Sequence, residues 1–168
     1  MKILLQVTKN TVWVIGRSSA TSQFIDQLSS GSQVLSLRTA DNVTSMVTAF
    51  HIEPAERRQV IFVLTAGLTY ADLLTLGAFK SANPTIPIAI CFSSAQLDLV
   101  SYAWALNFTA YLTTTDSSSY AQELLGHILT KPQSPVSYSA VFREWLRQYG
   151  ILFENDQLPF SQTNEFGI

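Results

Sequence analysis

The sequence predicts an α/β domain built on a parallel sheet of five strands, with helices on both faces. Short apolar runs alternate with longer segments in which apolar residues recur at helical spacing. This alternation occurs five times, and each helical segment is long enough to connect two parallel strands. Because such crossovers are right-handed, the helices are expected on both faces, which makes the sheet doubly wound.

The five predicted strands are short runs rich in β-branched and aromatic residues. Val60–Leu64 is the most hydrophobic of them, so we expect the central strand there. Gln33–Leu37 is more polar, as an edge strand would be. An earlier run, Ile3–Val7, either joins the sheet or pairs with another chain. The other three strands are predicted at Thr11–Ile15, Ile88–Phe92 and Thr109–Leu112.

Each segment between the strands has the apolar spacing of a helix. Thr69 and Asp72 form the T-x-x-D pattern of a capping box, in which each side chain accepts from the other residue's backbone amide. Asp41 and Asp116 are placed to cap the second and fifth helices. The five helices are predicted over Ser18–Ser30, from Asp41 to Phe50, from Thr69 to Phe79, over Ala95–Asn107 and from Asp116 to Leu129.

A change of character divides the chain into a domain at residues 1–130 and a shorter segment at 131–168. The second part is predicted to hold a proline-rich linker, an amphipathic helix at Ser139–Tyr149 and an irregular tail. The helix carries a bulky apolar stripe that includes Phe142 and Trp145. This stripe either packs on its own domain, docks a neighbouring subunit, or joins an output domain of a longer protein.

Composition and charge exclude several classes of function. A net charge of −2 gives no basic surface for nucleic acid. No apolar run is long enough to span a membrane, and a cytoplasmic protein is expected. Cys91 lies in an apolar strand and is expected to be a buried thiol. His51 and His127 are far apart and away from the strand ends, so no metal site, cofactor or catalytic base is predicted.

Only 13% of the residues are charged, about half the usual quarter. A weakly charged, hydroxyl-rich surface has little electrostatic repulsion to keep molecules apart. Self-association or a protein partner is therefore one interpretation, and a monomer with a neutral surface is the other.

The carboxyl ends of the predicted strands lack carboxylates. In open α/β sheets, ligands bind at this edge, and a Mg²⁺ site there needs oxygen ligands that are normally carboxylates. No Asp or Glu occurs from Met1 to Ile25, and none occurs between Arg57 and Ala71. Magnesium-dependent phosphoryl chemistry is therefore not expected at the first and third strands.

Two segments carry a resemblance to a known family. NPTIPIAICFSS and WALNFTAYLTTTDSSSYAQELLGHIL look like the region from the fourth strand to the fifth helix of the receiver domain of bacterial response regulators. The alternation and length of the other units are also similar, so the resemblance covers about Thr11 to Thr130. It implies a flavodoxin-like fold with strand order 2-1-3-4-5.

The resemblance also assigns positions in this sequence to the acidic residues of a receiver domain. Its acidic pair, which holds magnesium, falls here on Gly16 and Arg17. Its phosphoacceptor Asp falls on Leu64 or Thr65, depending on a shift of one residue. Neither position has a carboxylate, and the positive charge of Arg17 would repel a magnesium ion.

The remaining chemical positions of a receiver lie after the fourth and fifth strands. The hydroxyl of the family is retained at Ser93 or Ser94, whereas the family's Lys falls on Thr114. The switch aromatic of the family matches Tyr111. Four of the five chemical positions therefore depart from the pattern, which implies a pseudo-receiver that is not an enzyme and is not switched by phosphorylation.

A second hypothesis concerns Arg17, Ser18 and Ser19, where the first strand meets a helix. A helix N-terminus attracts anions, and a guanidinium with hydroxyls could bind a phosphate or a nucleotide. The alternative is that a serine caps the helix while Arg17 is solvated or pairs with a surface acid.

Protein–protein contact is predicted through aromatic side chains near the fourth and fifth helices and on the C-terminal helix. Aromatic residues anchor interfaces because they bury a large area at little entropic cost. Ordinary core packing is the alternative, above all for Trp104. The expected partner is a second copy, a regulatory protein, or both. The residues are Tyr102, Trp104, Tyr111 and Tyr120, with Phe142 and Trp145 as a second contact.

Overall fold

The structure, a computed structural model, describes residues 10–29, 35–50, 59–66, 68–94, 97–116, 118–130 and 136–150. Strands and helices alternate along the chain, as the sequence predicts. The strands are β1 (Asn10–Ile15), β2 (Leu35–Ala40), β3 (Gln59–Leu64), β4 (Ile88–Phe92), β5 (Ala110–Thr113) and β6 (Ser137–Tyr138). The helices are α1 (Ser18–Ser29), α2 (Val43–Phe50), α3 (Tyr70–Ala82), α4 (Leu97–Ala105), α5 (Ser118–Thr130) and α6 (Ala140–Gln148).

Within the described residues, six parallel strands form one sheet in the order β2-β1-β3-β4-β5-β6. The predicted order 2-1-3-4-5 and the flavodoxin-like architecture are confirmed. The predicted number of five strands is wrong, because β6 adds to the edge of β5. The amides of Ser137 and Ser139 donate to the carbonyl oxygens of Thr109 and Tyr111, each at 3.0 Å. A strand of two residues is too short to produce a period-2 pattern in the sequence.

Most element bounds agree with the predictions, and the largest difference is in β2. That strand was predicted at Gln33–Leu37, but its pairing with β1 runs from Leu35 to Ala40. Helix α4 is shorter than predicted at its C-terminal end, where Asn107 has a φ of 59°. Such a left-handed residue often ends a helix. The predicted strand at Ile3–Val7, the proline-rich linker and the irregular tail lie outside the described residues.

Two hydrophobic clusters cover the two faces of the sheet. One face packs against α1 and α5, with Phe24 and Leu124 among its buried side chains. The other packs against α2, α3, α4 and α6. The helices therefore hold the sheet as a central layer, and the carboxyl ends of its strands meet at one edge.

The C-terminal helix packs on its own domain, which decides among the three alternatives for its apolar stripe. Phe142 and Leu146 are fully buried in the cluster formed with α2, α3 and α4. The opposite side of α6 is exposed and carries Arg143, Glu144 and Arg147. The Ser139 hydroxyl caps the helix by accepting from the amide of Phe142 at 3.1 Å.

The predicted capping box opens α3. The Thr69 amide donates to Asp72 Oδ2 at 2.8 Å, and the Asp72 amide donates to Thr69 Oγ1 at 3.2 Å.

None of the helices in the described ranges is long and apolar enough to cross a membrane.

Candidate functional site

The ends of β1 and β3 pack against each other at the positions that the resemblance assigns to the acidic residues of a receiver. Ile15 pairs with Val63, so Gly16 and Leu64 follow at the same level, and both are buried. A Cβ atom added to Gly16 would lie 3.0 Å from the Leu64 Cβ and 3.3 Å from its Cδ1. No side chain fits at Gly16 without a shift of Leu64 or of the backbone. A carboxylate at this position would therefore require the ends of β1 and β3 to move apart by a few tenths of an ångström.

Thr65 and Ser93 join the ends of β3 and β4. Thr65 Oγ1 accepts from the Ser93 amide at 2.9 Å, and the two hydroxyl oxygens are 3.4 Å apart. Thr65 is buried, whereas Ser93 and Ser94 are exposed. The resemblance leaves two alternatives at each strand end, Leu64 or Thr65 after β3 and Ser93 or Ser94 after β4. The structure brings Thr65 and Ser93 together. Both carry neutral hydroxyls.

Replacement of Thr65 by Val should show that its hydroxyl has a structural role. The variant keeps the shape of the side chain but removes the acceptor of the Ser93 amide. We expect the free energy of unfolding in urea to fall by about 0.5–1.5 kcal/mol. Thr48, an exposed residue of α2 whose hydroxyl donates to Thr44 O, is the control. Thr48→Val should change stability by less than about 0.5 kcal/mol, and an equal loss in both variants would refute this role.

A carboxylate does lie after β5, but it is engaged with its own turn. Asp116 Oδ2 accepts from the Thr113 amide at 2.7 Å and from the Thr113 hydroxyl at 3.1 Å. Thr114, at the position of the family's Lys, is exposed, and its amide donates to Phe92 O at 2.9 Å. Within the described ranges, His, Cys, Asp and Glu form no group of three that could hold a metal ion. Asp116 thus stands without the further carboxylates that a receiver uses.

Arg17 is exposed at the end of β1, and α1 begins at the next residue. Its carbonyl oxygen accepts from both the amide and the hydroxyl of Thr21, at 2.9 and 2.8 Å. Because α1 begins at Ser18, the residue before its first turn is Arg17 rather than a serine. Ser19 is exposed in this first turn.

A cleft of about 80 Å³ opens between α1 and α5 at the same edge of the sheet. Gln23, Gln27, Thr113 and Asp116 contribute its polar lining, and Cys91 lies at its base. Burial, and to a lesser extent the negative charge of Asp116, raises the pKa of the Cys91 thiol to about 12. The thiol is therefore protonated at neutral pH and is a poor nucleophile. This agrees with the prediction of a buried cysteine.

Cys91 should make stability depend on pH in alkali. Below the ordinary pKa of 9.0, both folded and unfolded thiols keep their proton. Above it the unfolded thiol loses its proton first, so the free energy of unfolding should fall by up to about 1.4 kcal/mol per pH unit. Urea unfolding between pH 9 and 10, below the ordinary pKa of tyrosine, should show this slope, and Cys91→Ala should lose it.

Iodoacetamide should label Cys91 only after unfolding, and rapid native labelling would contradict this account.

Tyr111, the counterpart of the switch aromatic, is fixed inside the protein. Its hydroxyl donates to Ala103 O at 2.8 Å and accepts from the Phe108 amide at 2.7 Å. Its ring stacks on Phe142, with centroids 5.0 Å apart and planes 9° apart. Burial raises the pKa of Tyr111 well above its ordinary value. Both side chains are fully buried within the chain, so Tyr111 and Phe142 do not form the surface contact with another chain that the sequence predicts.

The other four predicted interface residues are half-buried. Trp104 and Trp145 lie against Phe142, with ring centroids 6.1 and 6.4 Å from it. Tyr120 contributes to the cluster beneath α5. Tyr102 stacks on Tyr70 of α3, with ring centroids 4.3 Å apart. Much of the aromatic surface expected to meet a partner is therefore occupied by contacts within the chain.

Sequence reasoning missed two exposed residues of α3. Tyr70 and Leu74 are 51% and 52% exposed. They lie off the buried stripe of the helix, which consists of Leu73, Leu76 and Phe79. The signal was available in the sequence, since a Tyr and a Leu one turn apart stand where an amphipathic helix would carry polar residues.

Comparison with known proteins identifies the fold. No model of a known protein family matches the chain, and no curated protein matches its sequence. A receiver domain from Clostridium thermocellum is similar in structure, with a TM-score of 0.58 and 18% identity over 74% of this chain and 97% of that one. A response regulator from Thermotoga maritima is also similar in structure, with a TM-score of 0.58 and 16% identity over 73% of this chain and 98% of that one. The fold is that of a receiver domain.

A longer response regulator gives a higher TM-score. RcsB from Salmonella typhimurium matches with a TM-score of 0.67 and 12% identity, over 86% of this chain and 68% of its own. At such low identities these similarities establish the receiver fold alone. The chemistry must be inferred from the residues of this chain.

Proposed function

We propose that the chain is a pseudo-receiver that acts in bacterial signalling or transcriptional regulation without being phosphorylated. The observation that carries this proposal is the packing of Gly16 against Leu64. In a receiver these strand ends hold magnesium and accept a phosphoryl group, and both steps need carboxylates. Here the acidic pair falls on Gly16 and Arg17 and the phosphoacceptor on Leu64 or Thr65, and none of these residues has a carboxylate.

The residues around this pair also support the proposal. Transfer of a phosphoryl group to a carboxylate needs a cation to neutralise the developing negative charge. The ends of β1, β3 and β4 offer the Thr65 hydroxyl, which accepts from the Ser93 amide, the Ser93 hydroxyl and the exposed guanidinium of Arg17, but no carboxylate that could hold a magnesium ion. The Asp116 carboxylate accepts two hydrogen bonds from Thr113. We therefore assign no catalytic residue to this chain.

The position of Tyr111 supports a module with one conformation. A switch aromatic has to move between two arrangements of similar free energy. Tyr111 makes two hydrogen bonds, and Phe142 covers its ring. Its release would leave two buried polar groups without partners, at a cost of several kcal/mol (about 1–3 for each group). We infer that the surface offered to partners is permanent rather than induced by a signal.

Treatment with acetyl phosphate and Mg²⁺, followed by intact-mass measurement, tests the proposal. The mass should not change, whereas the cyanobacterial phytochrome response regulator RcpA, which has been solved in phosphorylated form, should gain a phosphoryl group when treated in parallel. A phosphorylated species that hydroxylamine removes would refute the proposal, because acyl phosphates have this lability. The Asp116→Asn variant would then show whether Asp116 is the acceptor.

A second candidate function is a sensor of anions or nucleotides at Arg17. Ile15 of β1 pairs with Val63 of β3. Arg17 and Thr65 each follow this pair by two residues, so both lie at the same edge of the sheet. A guanidinium at the start of a helix, next to hydroxyls, is suited to a phosphate group. A ligand that binds only the folded state raises the melting temperature. Phosphate and nucleotides should therefore raise it in the wild type but not in Arg17→Ala, and no shift in either would exclude this function.

A further inference from the structure

The cleft between α1 and α5, which we call the α1–α5 cleft, has an apolar base and a polar rim. At the rim, Gln23 and Thr114 are exposed, and Gln27 and Asp116 are half-buried. The base consists of buried side chains from three strands and both helices. A concave apolar wall with a few polar groups is typical of ligand-binding sites. The residues of the base are Phe24, Leu64, Cys91, Leu112 and Ala121.

The size of the α1–α5 cleft limits what it can bind. Its volume of about 80 Å³ has room for roughly three groups the size of a water molecule, at about 30 Å³ each. This is well below the roughly 300–1,000 Å³ of a pocket for a drug-sized ligand. The two walls are tied together, because Gln122 Nε2 of α5 donates to Gln27 O of α1 at 2.7 Å. The cleft therefore suits a molecule of only a few non-hydrogen atoms.

The charge of the α1–α5 cleft is negative. Among the described residues that line it, Asp116 is the one with a charged side chain. Its walls add negative charge, since α1 contains Asp26, α5 contains Glu123, and neither helix contains Lys or Arg. Arg17 precedes α1, is exposed and is not among these lining residues. The partial positive charge at the start of α5, about half an elementary charge, does not cancel a carboxylate. The cleft therefore favours a cation over an anion.

The Asp116 carboxylate is held in place and can accept further hydrogen bonds. A carboxylate has about four acceptor sites. From the described residues Asp116 accepts two hydrogen bonds, both on Oδ2 and both from Thr113. Its charge also reaches the base of the cleft, where it contributes, after burial, to the raised pKa of Cys91. A ligand in the cleft thus meets a preorganised anionic acceptor beside an apolar base.

We propose that the α1–α5 cleft binds a small primary amine. The ammonium group donates to Asp116 in a charge-assisted hydrogen bond, and a short hydrocarbon chain lies against the apolar base. An alkylamine carries this charge at neutral pH, because its pKa is close to that of lysine, about 10.4. A neutral alcohol of the same length lacks the charge, and a carboxylate is repelled. This inference goes beyond the pseudo-receiver proposal and does not rest on it.

Titration of the full chain with propylammonium chloride at constant ionic strength tests this inference. In the amide proton–nitrogen correlation spectrum, Gln23, Thr113 and Ala121 should shift and saturate. A Kd in the millimolar range is expected for a ligand of so few atoms. 1-Propanol and propionate should each bind at least about tenfold more weakly, because a hydrogen bond between charged groups contributes at least this factor.

Charge reversal at the rim provides one pair of variants. Gln23→Lys places an ammonium group beside the cleft, which should weaken propylammonium binding at least about tenfold through repulsion and partial neutralisation of Asp116. Ser22→Lys adds the same charge at the neighbouring exposed position, which is not among the described lining residues. It should bind propylammonium within about twofold of the wild type. Both positions are exposed, so both variants should fold, and thermal melting would establish this.

Removal of the carboxylate provides a second pair. Asp116→Asn keeps an oxygen that can accept from the Thr113 amide but loses the charge, so propylammonium should bind at least about tenfold more weakly. Asp98→Asn removes the same charge from exposed α4, on the other side of the sheet, and should bind like the wild type. If thermal melting showed that Asp116→Asn does not fold, the comparison of Gln23→Lys with Ser22→Lys would still decide.

Three results would overturn the inference. The first is a wild type whose cleft amides show no saturating shift with propylammonium. The second is binding of 1-propanol or propionate as tight as that of the amine, because the carboxylate would then not select the ligand. The third is unchanged amine binding in Gln23→Lys. None of these measurements uses Mg²⁺ or a phosphoryl donor, so this inference and the pseudo-receiver proposal fail separately.

Discussion

Replacement of Phe142 by Ala is expected to lower the free energy of unfolding by about 3–5 kcal/mol. The Phe142 ring is fully buried between Tyr111 and Phe92, with centroids 5.0 and 5.3 Å away. Its removal would leave a cavity under α6 and expose the ring of Tyr111. Urea unfolding, followed by circular dichroism at neutral pH, measures the effect.

Arg143→Ala provides the matched control, because Arg143 is the next residue of the same helix and is exposed. This variant should change stability by less than about 0.5 kcal/mol. A loss below about 1 kcal/mol for Phe142→Ala would contradict the account, since that is far less than a buried aromatic side chain contributes. It would mean that α6 is not held on the sheet and that Tyr111 is not covered.

Replacement of Gly16 by Ala is expected to destabilise the protein by about 1–3 kcal/mol, in contrast to the usual benefit of replacing a glycine. The new methyl group would lie 3.0 Å from the Cβ of Leu64, which is attached directly to the backbone of β3. A rotamer change of Leu64 therefore cannot remove the contact, and the ends of β1 and β3 would have to separate. Gly16→Asp should cost more, because it adds a charge at a buried position.

Gly77→Ala is the control for this prediction. Its new methyl group would meet Leu106 Cδ2, the end of a flexible side chain, at 3.2 Å. Because Gly77 lies inside α3, Ala should also improve helix propensity, so the variant should be neutral or up to about 1 kcal/mol more stable. If Gly16→Ala were equally harmless, the strand ends would have room for a side chain, and the main support for the pseudo-receiver proposal would be lost.

Local periodicity predicted most of the fold. The apolar runs at β3 and β4 were each found within one residue, because a buried parallel strand is an uninterrupted apolar segment between turns. The polar edge strand β2 was displaced, since its position depends on its register with β1 rather than on its own pattern. The strand β6 could not be predicted, because two residues produce no period and its pairing depends on the edge of β5.

The absence of carboxylates at Gly16, Arg17, Leu64 and Thr65 can be read from residue identity, whereas the packing of Gly16 against Leu64 cannot. Gly16 and Leu64 are 48 positions apart in the sequence, and their close contact follows only from the register of β1 and β3. The hydrogen bond between Thr65 and Ser93 likewise depends on how β3 and β4 end. The structure shows that the buried Leu64 packs against Gly16, which the sequence alone does not predict.

The prediction of interface residues from their aromatic type was the least accurate part of the sequence analysis. Residue type alone does not distinguish a core aromatic from an interface aromatic, since both bury a large area. Tyr111 and Phe142 were assigned to an interface because the sequence does not decide between an α6 that packs on its own domain and one that docks a partner. Tyr70 and Leu74 were overlooked, although their positions on α3 relative to its buried stripe indicate exposure.

The most direct test of the central claim is the amide proton–nitrogen correlation spectrum, recorded with and without Mg²⁺ and beryllofluoride. Beryllofluoride activates a solved receiver domain that is similar in structure to this chain. We expect the spectrum of this protein to remain unchanged, because Gly16, Arg17, Leu64 and Thr65 provide no carboxylate to hold the metal or a phosphoryl analogue. Shifts at Gly16, Thr65, Ser93 and Thr114 that saturate with the ligand would contradict the claim and would establish a working receiver site.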